Sequence, residues 1–163
     1  MTRNKLLEDL KEYSLSRTSH LSLPTSIQKG DTEQLFRAPE VFKMRLPNSA
    51  AAKKIAPYIL IQFVSGMDKQ THGSGSESAS VVRFIFCVYA DDEQEGAAML
   101  LNVMDCIRIG LLQDIVIAEQ YKLDTDQGIE TLIYPDDTAP YYAGEMICTF
   151  SAPPIERKVD YGC

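Results

Sequence analysis

The chain has no tryptophan, only two histidines and only four cysteines among its 163 residues. Each scarcity excludes something. His20 and His72 are far apart in sequence, and both lie in polar, loop-like stretches. A histidine that activates a nucleophile must be held by packed neighbours, and neither is, so no catalytic residue is expected. Cys87, Cys106, Cys148 and Cys163 form no CxxC pair and have no histidine at ligand spacing. Three of them fall within apolar strand or helix patterns, where reduced thiols act as small hydrophobes. No structural or catalytic metal and no cofactor is expected. No apolar run approaches the roughly 20 residues that cross a bilayer. The start, "MTRNKLLEDLKEY", is charged throughout, unlike a secretory leader. A cytoplasmic location without membrane contact is the expectation. Positive charge is also short: 16 Lys and Arg stand against 23 Asp and Glu, a net −7. Such a surface repels phosphate, so specific nucleic-acid binding is not expected.

What remains is an ordinary globular composition, with 45% hydrophobic and 24% charged residues. A domain of about 150 residues buries roughly 70% of its unfolded surface, enough for a sizeable core. The pattern divides into a helix and arm over 1–35, an α+β domain over 36–155 and a flexible tail over 156–163.

"NKLLEDLKEY" reads as a short amphipathic helix with Leu6, Leu7, Leu10 and Tyr13 on one face. Ser14 to Gln34 has no sustained period and reads as a loose arm. "EVFKMRLP" alternates like a strand and ends at Pro47, and "NSAAAKKIA" reads as a link. In "PYILIQFVS", Ile59, Ile61 and Phe63 share one face, with Tyr58, Leu60, Gln62 and Val64 on the other. In "VVRFIFCVYA", Val82, Phe84, Phe86 and Val88 form an unbroken apolar face. The opposite faces are only half polar, which implies a partial cover.

"DDEQEGAAMLLNVMDCIRIGLLQ" is the main helix. Asp92 caps it, with Glu95 at the capping-box position. Ala97, Leu100, Leu101, Met104, Ile107 and Leu111 form its packing face, and Gly110 marks a loosening end. "IVIAEQYKL", "IETLIYP" and "EMICTFSAP" read as three further strands, with turns at "DTDQG" and "PDDTAP". The expected fold class is α+β: a mixed, mostly antiparallel sheet, a long helix packed on one face and a short N-terminal helix.

Few residues suggest chemistry. Asp91/Asp92, Asp124/Asp126 and Asp136/Asp137 pair acids as metal sites do, but helix capping and turns account for them, and none fits a calcium loop. "GSGSES" lacks the Lys and following helix of a phosphate loop.

Taken in order, "APYILIQFVSG", a polar insertion, "VVRFIFCVYADD", a long helix and "APYYAGEMICTFSAPPI" resemble the tail-completion or tail-terminator proteins of long-tailed bacteriophages and prophages. The resemblance covers about Glu40 to Ile155 and rests on order and spacing. It departs from the pattern in the length of Ser14–Gln34. It implies a non-enzymatic minor tail protein that assembles as a homo-oligomeric ring, usually a hexamer. Such a ring ends polymerisation of the tail tube protein and offers a surface to the head connector protein. The implied locations are the bacterial host cytoplasm during assembly and the virion tail. The alternatives are another neck or head–tail joining component, or a small-ligand-binding or enzymatic α+β domain.

The segment "GMDKQTHGSGSESAS", Gly66 to Ser80, interrupts the two best strands with three Gly and four Ser. It reads as a long mobile loop. Gly66, Asp68, Lys69, Gln70 and Glu77 are its candidate contacts to a neighbouring subunit or the tail tube.

Overall fold

The computed structural model describes residues 2–29, 33–47, 55–71, 75–135, 139–156 and 158. In chain order the elements are α1 (Arg3–Thr18), β1 (Leu23–Lys29), β2 (Glu33–Arg37), β3 (Glu40–Lys43), β4 (Tyr58–Thr71), β5 (Gly75–Tyr89), α2 (Glu93–Asp114), β6 (Val116–Ile117), β7 (Tyr121–Leu123), β8 (Ile129–Ile133) and β9 (Tyr141–Ala152). The fold is α+β. Seven strands form the main sheet in the order β3-β4-β5-β9-β7-β6, and β8 pairs with β9 beside β7. All pairings in it are antiparallel except β3 with β4.

The central strands follow the alternation of their side chains. Ile59 and Ile61 of β4, Val82, Phe84 and Phe86 of β5, and Met146, Cys148 and Phe150 of β9 are buried on one face and belong to one hydrophobic cluster. Phe63 packs partly buried at its edge. Leu6, Leu7 and Leu10 of α1 and Leu100, Met104, Ile107 and Leu111 of α2 join the same cluster, so both helices cover that face.

The helices differ from expectation in three ways. First, α1 continues past Tyr13 to Thr18. Its buried stripe passes through Ser14 and Thr18, and the Thr18 hydroxyl donates to the Ser14 carbonyl (2.8 Å). Polar residues on the inner face hide the helical period from an apolar pattern. Second, α2 buries Val103 where Leu101 was expected. Leu101 is 45% exposed and Ala97 is exposed, because the stripe runs Gly96, Leu100, Val103, Met104, Ile107, Gly110 and Leu111. Third, Gly110 is where α1 crosses α2, not a fraying end. A Cβ there would lie 2.5 Å from the Tyr13 hydroxyl and 2.6 Å from Arg17 Nε. Tyr13 uses the close approach to donate to Asp114 (2.6 Å), and Arg17 Nε donates to the Cys106 carbonyl (3.3 Å). At the start of α2, the Asp92 carboxylate accepts from the Gln94 N–H (2.8 Å), and its carbonyl accepts from Glu95 and Gly96.

The expected loose arm is a two-stranded antiparallel sheet, β1 with β2. The Thr25 hydroxyl donates to the Leu35 carbonyl (2.8 Å), and Leu23 joins the main cluster. The expected strand at "EVFKMRLP" is shorter, ending at Lys43, and Met44 follows with a positive φ of 62°. The link "NSAAAKKIA" lies mostly outside the described residues. "IVIAEQYKL" is not one strand but the hairpin β6–β7, turned at Ala118 and Glu119, both at positive φ. The "DTDQG" turn forms as expected: the Asp124 carboxylate accepts from the Asp126 and Gln127 N–H groups, and Gly128 (φ 73°) closes it. Residues 136–138 of the "PDDTAP" turn and most of the tail from 156 onward lie outside the described residues.

Candidate functional site

The largest departure concerns the segment read as a loop. The β4–β5 ladder does not stop at Gly66 but runs on pair by pair to Thr71 opposite Gly75. The interruption in alternation is a bulge: Phe63 pairs with Val82, Ser65 pairs with Val81, and Val64 is extra. One extra residue exchanges the faces of a strand. Ile59, Ile61 and Phe63 point toward the helices before the bulge; Gly66, Asp68 and Gln70 do so after it. The result is a polar two-stranded arm.

Three of the five candidate contacts serve to hold this arm to its own chain. Asp68 accepts from the Ser78 hydroxyl across the ladder (2.6 Å) and from Arg3 Nη2 at the start of α1 (2.7 Å). The Ser78 hydrogen bond and then the Arg3 partner hold the Asp68 carboxyl below its ordinary value. The Arg3 guanidinium also lies over the Phe63 ring, 5.1 Å from its centre. Gly66 admits it, since a Cβ there would lie 2.5 Å from Arg3 Nη2. Gln70 Nε2 donates to the Ile155 carbonyl (2.8 Å). Lys69 and Glu77 face each other across the ladder on the opposite face, and both are exposed.

That opposite face carries neither helix. A polar row crosses it: Arg83 donates twice to Gln62 Oε1 (3.0 and 2.8 Å) and approaches Glu145 at 3.8 Å, and the Tyr134 hydroxyl donates to Glu145 (3.1 Å). Burial and then Glu145 raise the Tyr134 hydroxyl's pKa. Toward the arm the face opens into a shallow concavity of about 710 Å³, bordered by Met67, Lys69, Glu77, Asp124 and Thr149.

Burial governs two of the cysteine thiols: it pushes that of Cys148 up to about 12, and it raises that of Cys106 as well. His20 is exposed, and His72 lies outside the described residues, as do Asp136 and Asp137. Asp91 accepts from the Tyr89 hydroxyl (2.6 Å), and Asp92 and Asp124 cap a helix and a turn. Among the described residues no three His, Cys, Asp or Glu side chains are grouped as metal ligands. No described helix is long and apolar enough to cross a membrane.

Sequence reasoning missed the strand edges. Beyond Ile61 no strand among the described residues pairs with the outer side of β4; Met44 still accepts from the Phe63 N–H through Sδ (3.3 Å) and from Gln62 Nε2 through its carbonyl (3.1 Å), and the edge from Val64 to Thr71 has no strand beside it. On the far side of the sheet, β8 pairs with β9 and with no other strand among the described residues, and it leaves Leu132 52% and Ile133 40% exposed. "IETLI" offered no signal beyond a strand, because whether a strand ends a sheet depends on its partners. No family model matches the chain, and no curated protein matches it.

Proposed function

We propose that the chain is a structural subunit of a phage tail-completion assembly, built to contact other protein chains rather than to turn over a substrate. The observation that carries this is the β4–β5 arm. It is braced at its base by Arg3, Asp68 and Ser78, yet among the described residues no strand covers its outer edge and no helix covers its other face. Such an arm supplies a large, directional contact surface at low ordering cost, because the ladder already fixes the backbone. The elements behind the resemblance to tail-terminator proteins are contiguous in space: β4, β5, the Asp92 cap of α2, and β9 at the sheet centre. In this function the subunits form a ring on the tail tube and present a face to the head connector, in the host cytoplasm first and then in the virion tail. The sheet's half-apolar second face becomes subunit or tube contact.

The test joins solution mass to tail completion. Light scattering of the purified chain, alone and with tail tubes, should give a ring mass, and tails made without the chain should be over-long and headless. Normal tails in its absence would refute the proposal.

A further inference from the structure

Among the described residues, two edge stretches of the main sheet, besides its end strands β3 and β6, have no strand beside them. One is the arm side of β4, where Gly66, Met67, Asp68, Lys69 and Gln70 have no outer neighbour among the described residues. The other is β8, Ile129–Ile133. The Tyr134 N–H donates inward to the Ala143 carbonyl (3.0 Å). By antiparallel alternation, the N–H groups of Thr131 and Ile133 then point outward, away from β9. Unpaired ladder groups of this kind recruit another strand.

We infer that the arm edge of β4 receives β8 of a second copy of this chain, antiparallel, with Met67 opposite Leu132 and Lys69 opposite Glu130. This rests on the assembly function proposed above and specifies its contact.

Three observations select this occupant and register. The first is direction. Each step from β4 to β5 to β9 to β8 is antiparallel, so β8 runs opposite to β4. A next copy continuing the sheet head to tail therefore meets β4 antiparallel, with its helices on the same side. The second is face. Met67 and Lys69 share the helix-free face with Glu77 and Arg83, and Glu130 and Leu132 share it with Ile147 and Glu145. The third is chemistry. Met67 is 58% and Leu132 52% exposed, two large apolar side chains left in water by the single chain. The register that joins them also sets the Lys69 cation against the Glu130 anion. A shift by two residues separates both pairs, and a shift by one turns the faces over.

The geometry carries a consequence for assembly. Within one chain Glu130 lies level with Gln62, through Ile147 and Arg83. Opposite Lys69 of the next chain it stands six ladder positions further along, since Val64 is the bulge residue, roughly 20 Å at about 3.4 Å per residue. Successive copies thus step along the strand direction. A contact of this kind uses two different surfaces of each copy, so it closes into a ring if the rotation allows and otherwise grows as a fibre.

The experiment is disulfide trapping. Met67→Cys and Leu132→Cys are made singly and together in a chain with Cys106 and Cys163 changed to Ser. Directly opposed residues on paired strands lie within disulfide reach. Inside one chain the two positions lie three strand spacings apart across the sheet, about 14 Å at roughly 4.8 Å each, and six ladder positions apart along it, so no internal bond forms. Under oxidation the double variant should give a ladder of covalent multimers. The mixed single variants should give a dimer, and each alone none. A dimer from either single variant alone would show a two-fold contact and overturn the inference. The absence of a ladder, while light scattering finds the unmodified chain oligomeric, overturns the inference and leaves the assembly function standing. A monomer at every concentration and on tail tubes overturns both. As a second readout, Lys69→Glu and Glu130→Lys should each raise the midpoint concentration for association about fivefold, and the double reversal should restore it. Loss without restoration in the double reversal would also count against the pairing.

Discussion

Gly96 sets two well-understood effects against each other. It is the fourth residue of α2, and replacing an interior helical Gly by Ala ordinarily gains about 1 kcal/mol. Here the added methyl has no room. A Cβ on Gly96 would lie 2.2 Å from Cε2 of the Tyr142 ring and 2.4 Å from its Cζ. Tyr142 is 6% exposed and is held in β9 opposite Val88, so the ring has little freedom to retreat. Forcing an extra carbon into a packed core costs about 1–3 kcal/mol, and a contact this short lies at the upper end. Gly96→Ala should therefore lose about 1–2 kcal/mol net. For a chain of this size that corresponds to a fall in Tm of about 2–8 °C. Thermal unfolding followed by circular dichroism measures it directly. Tyr142→Leu should remove the clash, so that Gly96→Ala becomes stabilising in that background and the cycle shows a clear coupling. A Gly96→Ala protein more stable than the parent would mean that propensity prevails and that the packing of α2 on β9 is looser than described here.

Three further outcomes follow from the same geometry. Leu100→Ala should cost about 2–5 kcal/mol by denaturant unfolding, whereas its neighbour Leu101→Ala should cost under about 1 kcal/mol; equal losses would mean that the α2 faces are wrong. Asp68 should titrate below its ordinary 3.8 by carbon-13 NMR, as its Ser78 and Arg3 partners favour the carboxylate. Since the folded value is the depressed one, its support of the arm is fully present above the unfolded value and is lost as pH falls through the folded one. An ordinary titration, or one unchanged in Arg3→Ala and Ser78→Ala together, would argue against that anchoring. Replacing Lys69 to Glu77 by Asn-Gly should leave Asp68 opposite Ser78 in a tight hairpin and preserve the fold. The same change should abolish ring formation and tail completion, and normal tails from the shortened chain would deprive the arm of its role.

The parts of the fold legible in the sequence are those where one physical effect dominates. The alternation in "YILIQFVS" and "VVRFIFCVYA" identifies the core face because one side of each strand is wholly apolar, and Ile59, Ile61, Phe84 and Phe86 are accordingly buried to 0% exposure. Asp92 and Asp124 are legible because a carboxylate beside unpaired N–H groups has one local use. Where tertiary contacts override local preference, the pattern misleads. Ala118 and Glu119 take left-handed conformations with no Gly or Asn to announce them, so the β6–β7 hairpin looks like one strand. Gly110 looks like a helix end but answers to Tyr13 and Arg17, which approach from α1.

The arm shows why the candidate site was only half visible. Its composition, Ser and Gly with scattered charges, is that of a flexible loop when each residue is judged alone. The ladder instead draws its stability from pairing. β5 is fixed by β9 as far as Ser78 opposite Ala152, and β4 is fixed by β5, while Arg3 and Ser78 hold Asp68 at the base. A strand stabilised this way needs no apolar residues of its own, so its side chains remain free to carry specificity. Lys69 and Glu77 on one face and Asp68 and Gln70 on the other are therefore not compatible with the same exchange of partners. The inward-facing residues are committed to the chain itself, and only the outward-facing row and the bare backbone edge remain for another molecule. If the function is assembly, variants of Lys69 or Met67 should weaken it while leaving stability unchanged. Variants of Asp68 should loosen the arm first and affect assembly only as a consequence.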